Sequence, residues 1–265
     1  MEGVAEDHVH STGVYRLSRI AKEGLWLVTT EHAHDLAALF VRPQEFYESA
    51  SEDIQGLPFS KAAYCRWYAL NVSDIGSFTY ATDAQAFNVP GEAVEACLQA
   101  PHPDTDTYDL ILRDIASRAS ALQSGRYYLI GVRDGDRANL DHEIAHGMFY
   151  LLPKYRASMV ALVEGLPEGM RDQVNGALLG RGYSLDTAVD ETQAYFATGL
   201  LEELLHLEME RHPFMKVFAE HRRKIIKPST EKPKRSRNVK KVKPEHATGD
   251  AFTIDMFDNA PKVTS

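Results

Sequence analysis

His142, Glu143 and His146 stand in the pattern H-E-x-x-H, written out as His142-Glu143-Ile144-Ala145-His146. On an α-helix, residues four apart lie on one face, so both imidazoles can reach a single ion. Two neutral histidines at that spacing suit Zn2+, which favours nitrogen donors. Glu143, one position on, is turned about a third of a circle from His142. It stands beside such an ion, where it can take a proton from an activated water. These three residues prescribe metal-assisted hydrolysis of a peptide bond, with Glu143 as general base. The competing reading is a core helix whose histidines pair with neighbouring side chains. Burying two histidines and a glutamate with nothing bound is costly, which favours the metal.

A catalytic zinc usually takes three protein ligands and keeps a fourth position for water. The run 184–197 is the best source of the third. Ser184 can cap a helix there, and Ala188, Ala194 and Ala197 are small enough to let another helix approach. Glu191 is the expected ligand. Its rivals are Asp190, turned about 100° from it, and His206 further along the same helix. The plain alternative for Glu191 is a solvated carboxylate, since glutamates are mostly exposed.

The H-E-I-A-H motif, followed at a distance by Asp190-Glu191-Thr192-Gln193-Ala194-Tyr195, resembles the gluzincins and, by size, the compact minigluzincin group. Less specifically, H-E-I-A-H-G is similar to uncharacterised bacterial and phage-type proteins. In those, a stretch like Phe78-Thr79-Tyr80 and Phe87-Asn88-Val89-Pro90 precedes the motif. The similarity runs from Tyr127 to Ala197. It implies that a glutamate on a downstream helix, often in an E-x-x-A setting, completes a zinc site. Three departures narrow it. Positions 149 and 152 are Phe and Leu where a metzincin has Gly and His, and the aspzincin pattern G-T-x-D-x-x-Y-G is absent. Larger gluzincins carry an aspartate four residues after the glutamate, and here that residue is Tyr195. The carboxylate expected to orient a zinc histidine is then Asp141 or Asp190.

The elements around the motif follow from local pattern. Residues 126–133 are aromatic and β-branched, as in a strand, and Asp134-Gly135-Asp136 is a turn whose last residue can cap a helix. From Arg137, Leu140, Ile144, Met148, Leu151 and Leu152 keep a helical period until Pro153. Ile111, Ile115, Ala119 and Leu122 place another helix over 108–124. The expected fold is α+β and zincin-like: a backing helix (108–124), a small mixed sheet with an edge strand (126–133), the motif helix (137–152) and a second metal-ligand helix. Residues 24–30 read as a strand, 33–49 as a helix interrupted near Pro43, and 59–70 as a helix capped by Ser60. A strand is expected at 77–81 and a short helix at 91–100. The last helix should continue past Gly199 through Glu210. The domain reading is a loose leader (1–12), an N-terminal α/β elaboration shaping the cleft (13–103), a zincin-like catalytic core (104–226) and a disordered basic tail (227–265).

Composition bounds the rest. The 265 residues are 44% hydrophobic and 25% charged, as in a soluble globular protein. No run of 18 apolar residues exists, and the acidic N-terminus lacks the apolar core of a secretory signal. Cys65 and Cys97 fall outside any metal spacing and read as free thiols in a reducing compartment, hence a cytoplasmic protein. Residues 227–245 hold eight basic and two acidic side chains, a net of +6. The whole chain carries −9, so the remainder carries −15. Such a tail can contact nucleic acid or an acidic partner by charge, or simply solubilise the chain. Phe252-Thr253-Ile254-Asp255-Met256-Phe257 resembles a sliding-clamp-binding peptide without its glutamine.

The reading that follows is a zinc-dependent metallopeptidase acting on a peptide or protein substrate, with His142, His146 and Glu191 on the metal. Tyr183, Tyr195 or His206 would stabilise the oxyanion, and the strand 126–133 would pair with an extended substrate. Two alternatives stand beside it. One is a catalytically silent zincin-like binding or regulatory module; the other is a nucleic-acid-associated protein using the tail. Nothing in the sequence sets an oligomeric state or calls for a membrane. The tail's composition yields a first prediction: truncation after Ile226 leaves the melting temperature and zinc content unchanged. Calorimetry and elemental analysis check it, and a truncated chain that unfolds or drops its metal would show that the tail packs on the body.

Overall fold

A computed structural model describes residues 7–49 and 51–226. The basic tail, the clamp-like peptide and residues 1–6 of the expected leader lie outside the described residues. Among the described residues, β1 (Asp7–Ser11), β2 (Arg16–Ala21), β3 (Leu25–Thr30), β4 (Ala86–Pro90) and β5 (Tyr128–Arg133) form one mixed sheet, ordered β1-β2-β3-β5-β4. The helices are α1 (Ala33–Glu48), α2 (Lys61–Asn71), α3 (Tyr80–Asp83), α4 (Gly91–Gln99) and α5 (Thr107–Leu122). After β5 come α6 (Arg137–Leu151), α7 (Pro153–Glu164), α8 (Glu168–Gly180), α9 (Ala188–Thr198) and α10 (His212–Ile225). Short 3-10 segments occupy Leu185–Thr187 and Glu202–Arg211. The class is α+β, and no helix of the described residues is long and apolar enough to cross a membrane.

The two central strands organise the packing. β3 is buried along its whole length and β5 along all but Arg133. Successive side chains point to opposite faces, so such strands need cover on both sides. On one face Trp26, Val28 and Leu129 pack with Phe40 of α1 and Ile115 of α5. On the other, Leu25, Leu27, Ile130 and Val132 pack with Ile144 and Met148 of α6, backed by α7, α9 and α10. Gly131 of β5 leaves room for the fully buried Phe40 ring; a Cβ there would lie 2.5 Å from its nearest atom. On the opposite face, a methyl group at Gly147 would collide with Leu25, so this glycine lets α6 press onto β3.

Several expectations need correction. The strand over 126–133 is not an edge strand: β5 pairs parallel with β3 on one side and antiparallel with β4 on the other. The edge on that side is β4, and the other edge is β1. Part of the expected leader, Asp7–Ser11, is β1, paired with β2. Pro43 does not interrupt α1. The helix is held through that point by Arg42, which donates to Asp109 at 2.9 Å, to Asp104 at 2.7 Å and to the Phe59 carbonyl at 2.7 Å. No strand forms at 77–81. Phe78 and Tyr80 stack on one another instead and join Tyr64 and Tyr68 in an aromatic cluster, while α3 begins at Tyr80. The last helix does not run on to Glu210. α9 stops at Thr198, and Arg211 folds back to donate to the Phe196 carbonyl at 3.0 Å, capping the freed helix end.

Gly131→Ala should lower unfolding free energy by about 1–3 kcal/mol through overpacking against Phe40. By contrast, Gly176→Ala, inside α8 with open space around it, should raise it by about 0.5–1 kcal/mol. Denaturant titration of both variants checks the pair, and the same sign for the two would refute this account of the packing.

Candidate metal centre and cleft

α6 starts where Asp136 accepts the backbone N–H of Asn139 at 3.2 Å, which sets the helical register. Two turns in, His142 and His146 share a face, with ring centroids 4.8 Å apart. α9 packs across them, and Ala145 and Ala194, both fully buried, keep the two backbones close. From α9, Glu191 turns inward. Its Oε2 lies 3.8 Å from His142 Nε2, its Oε1 lies 3.7 Å from His146 Nε2, and the two Nε2 atoms are 3.2 Å apart. Donors 2.0–2.2 Å from one tetrahedral centre sit about 3.4 Å from each other, so these separations fit a single small cation. His142, His146 and Glu191 therefore form a group that can hold a metal ion.

The hydrogen bonds behind the donors make the same point. Thr198 Oγ1 donates to the Ala194 carbonyl at 2.7 Å, so toward His142 Nδ1, 3.3 Å away, it acts as acceptor. His146 Nδ1 lies 3.0 Å from Asp190 Oδ1, a group that only accepts once ionised. Both Nδ1 atoms thus carry hydrogen, and both Nε2 atoms point to one place, which a proton on His146 or a metal ion can fill. Glu191 Oε2 is buried and has no hydrogen-bond partner. Two ring nitrogens and a carboxyl oxygen without a hydrogen-bond partner converge on one place.

Burial and neighbouring charge shift the acid–base balance of these groups. Burial, with the neighbouring His146, pushes the His142 pKa well below its ordinary value. At His146 burial acts the same way, but the Asp190 and Glu191 carboxylates outweigh it and raise the pKa well above normal. Burial pushes the Glu191 carboxyl up to about 8. Glu143 is 5% exposed, and burial raises its pKa too. It stands outside the ligand group and accepts a hydrogen bond from Asn88 Nδ2 at 2.6 Å. Asn88 is oriented in turn, because the Tyr128 hydroxyl donates to its Oδ1.

His142 and Glu143 open onto a cleft of about 480 Å³, whose walls include Tyr68, Asp83, Tyr183 and Tyr195. The Tyr183 and Tyr195 hydroxyls are 2.9 Å apart, and the Tyr195 ring packs against His142. Other residues singled out in the sequence lie elsewhere. Asp141 is bound by Arg222 at 2.9 Å, and the exposed His206 pairs with Gln173 at 2.8 Å. Asp190 is beside His146 and not among the three ligand donors. Sequence reading missed Asn88, Thr198, Gln193 and Tyr155. Of these, Asn88 left a signal: a lone amide among apolar neighbours in Phe87-Asn88-Val89-Pro90.

No protein-family model matches the chain, and neither a curated protein nor a solved structure was found to match it.

This geometry predicts one divalent ion per chain. Native mass spectrometry with added zinc should show a single bound ion, lost in His146→Ala and Glu191→Ala. Thr198→Val should weaken binding by about tenfold, by freeing the ring it orients. Retention of the ion by Glu191→Ala would remove that residue from the site.

Proposed function

We propose that this protein is a zinc-dependent peptidase of zincin type, hydrolysing a peptide or protein substrate. His142, His146 and Glu191 hold the metal and Glu143 is the general base. The observation that carries the reading is the pairing of two features in one cleft. Three donor atoms converge on one place, and a buried carboxylate sits next to them without joining them. A bound zinc ion would supply Lewis-acid chemistry, making water more acidic and polarising a carbonyl.

The chain's own residues supply the rest. Asn88 holds one oxygen of Glu143, which leaves the other for a water in the cleft. Glu143 takes the proton from that water and delivers it to the departing amine. The Tyr183–Tyr195 hydroxyl pair shares one hydrogen internally and has a second to offer a carbonyl oxygen as charge develops there. His206, exposed and bonded to Gln173, is not among the residues that line the cleft. An extended substrate would add along β4, the strand that pairs only with β5 among the described residues and carries Asn88.

A catalytically silent binding module explains this arrangement less well, since a metal clip has no use for a buried carboxylate beside its ligands. The free Cys65 and Cys97 fit a reducing, cytoplasmic setting.

Glu143→Gln should keep its zinc and lose hydrolysis by a factor of about 10²–10⁴. The assay is mass-spectrometric readout of cleavage in a pooled library of unfolded peptides. Wild-type rates in Glu143→Gln would exclude it as the base, and a zinc-loaded parent that cleaves nothing would favour the silent module.

A further inference from the structure

We infer that Tyr155 and Gln193 are positioning residues that set the metal affinity of the site, acting through Asp190 on His146. The inference rests on the metal reading above and assigns a role to two residues that touch none of the ligand atoms. Both are fully buried polar side chains in the core shared by α7, α9 and α10.

Each link of the chain has one allowed direction. Asp190 Oδ1 accepts from Gln193 Nε2 at 2.8 Å and lies 3.0 Å from His146 Nδ1. An ionised carboxylate only accepts, so Gln193 must turn its NH2 toward Asp190 and its carbonyl oxygen away. That oxygen, Oε1, receives the Tyr155 hydroxyl at 2.7 Å. A reversed amide would set oxygen against oxygen at Asp190 and leave the tyrosine proton without an acceptor. Burial raises the Tyr155 pKa, so the phenol remains a donor. The ring itself is fixed by edge-on packing with His221, whose Nδ1 is tied to the Val217 carbonyl at 2.9 Å. A buried donor on α7 thereby holds Asp190 in place as the acceptor at His146 Nδ1, which keeps His146 Nε2 aimed at the ligand group. Two apolar residues in this core would avoid the desolvation cost of a phenol and an amide.

The test measures zinc dissociation constants of the full-length protein by competition with a chromophoric chelator. Tyr155→Phe, which keeps the ring and its packing, should weaken zinc binding by about tenfold. In an Asp190→Ala background the same substitution should have no further effect, because the connection to His146 is already cut. Gln193→Met, close in length to glutamine, is read in the same two backgrounds and should behave alike. Unchanged affinity in Tyr155→Phe and Gln193→Met overturns the inference. So does a loss of equal size with and without Asp190, which would mean general loosening of the core. A parent protein with no zinc affinity overturns the metal reading and this inference together, whereas a parent that binds zinc alongside unaffected variants overturns the inference alone.

Discussion

His142 Nε2 and His146 Nε2 stand 3.2 Å apart, so close that a positive charge, either a proton held by His146 or a metal ion in its place, must lie between them. In this protein that arrangement is built in, because each ring's second nitrogen is committed to a fixed acceptor, Thr198 on one side and Asp190 on the other. Adding Glu191, whose Oε2 is buried without a partner, makes the demand for a cation stronger. A buried unpaired polar atom costs about 1–3 kcal/mol in stability. Burying Glu143, Glu191 and His146 together below a tenth of their surface is a liability to the fold, one that a bound ion would offset.

The surrounding architecture serves that one contact. α6 can deliver its histidines only because Gly147 lets it lie close on β3, and α9 can reach them only because alanines line its near face. Asn88 arrives from β4, which the sheet topology places beside β5 and so above α6. A strand from the first hundred residues therefore belongs to the same cleft as the motif helix. The acceptor chain behind His146 draws in α7 as well. Ligand direction is thus set by residues on helices and strands, which hold angles better than loops do.

Much of this was legible in the sequence, and where it was not the reason is physical. H-E-x-x-H fixes the spacing of two donors on one helix face, so His142 and His146 could be read at once. Glu191 was legible because a helix with alanines at 188, 194 and 197 must pack against something, and its inward carboxylate then needs a partner. Helix ends with a strong local signal, such as Ser60, Asp136 and Pro153, were also readable. Tertiary forces decided the rest. Arg42 and its three acceptors carry α1 through Pro43, against the local preference of proline. The strand signal at 77–81 is aromatic side chains meant for mutual stacking, which pattern alone cannot distinguish. Strand order is set by contacts far apart in sequence, so β5 looked like an edge although it pairs with both β3 and β4. Thr198, Gln193 and Tyr155 act through single hydrogen bonds across helices, and no periodicity records those.

X-ray absorption at the zinc edge tests the central claim most directly, because it reads the donors around the ion without any substrate. The account predicts two imidazole nitrogens together with oxygen donors at about 2.0–2.2 Å and no sulfur. A shell containing sulfur at about 2.3 Å, which only Cys65, Cys97 or a methionine could supply, or a shell of oxygens alone, would contradict it.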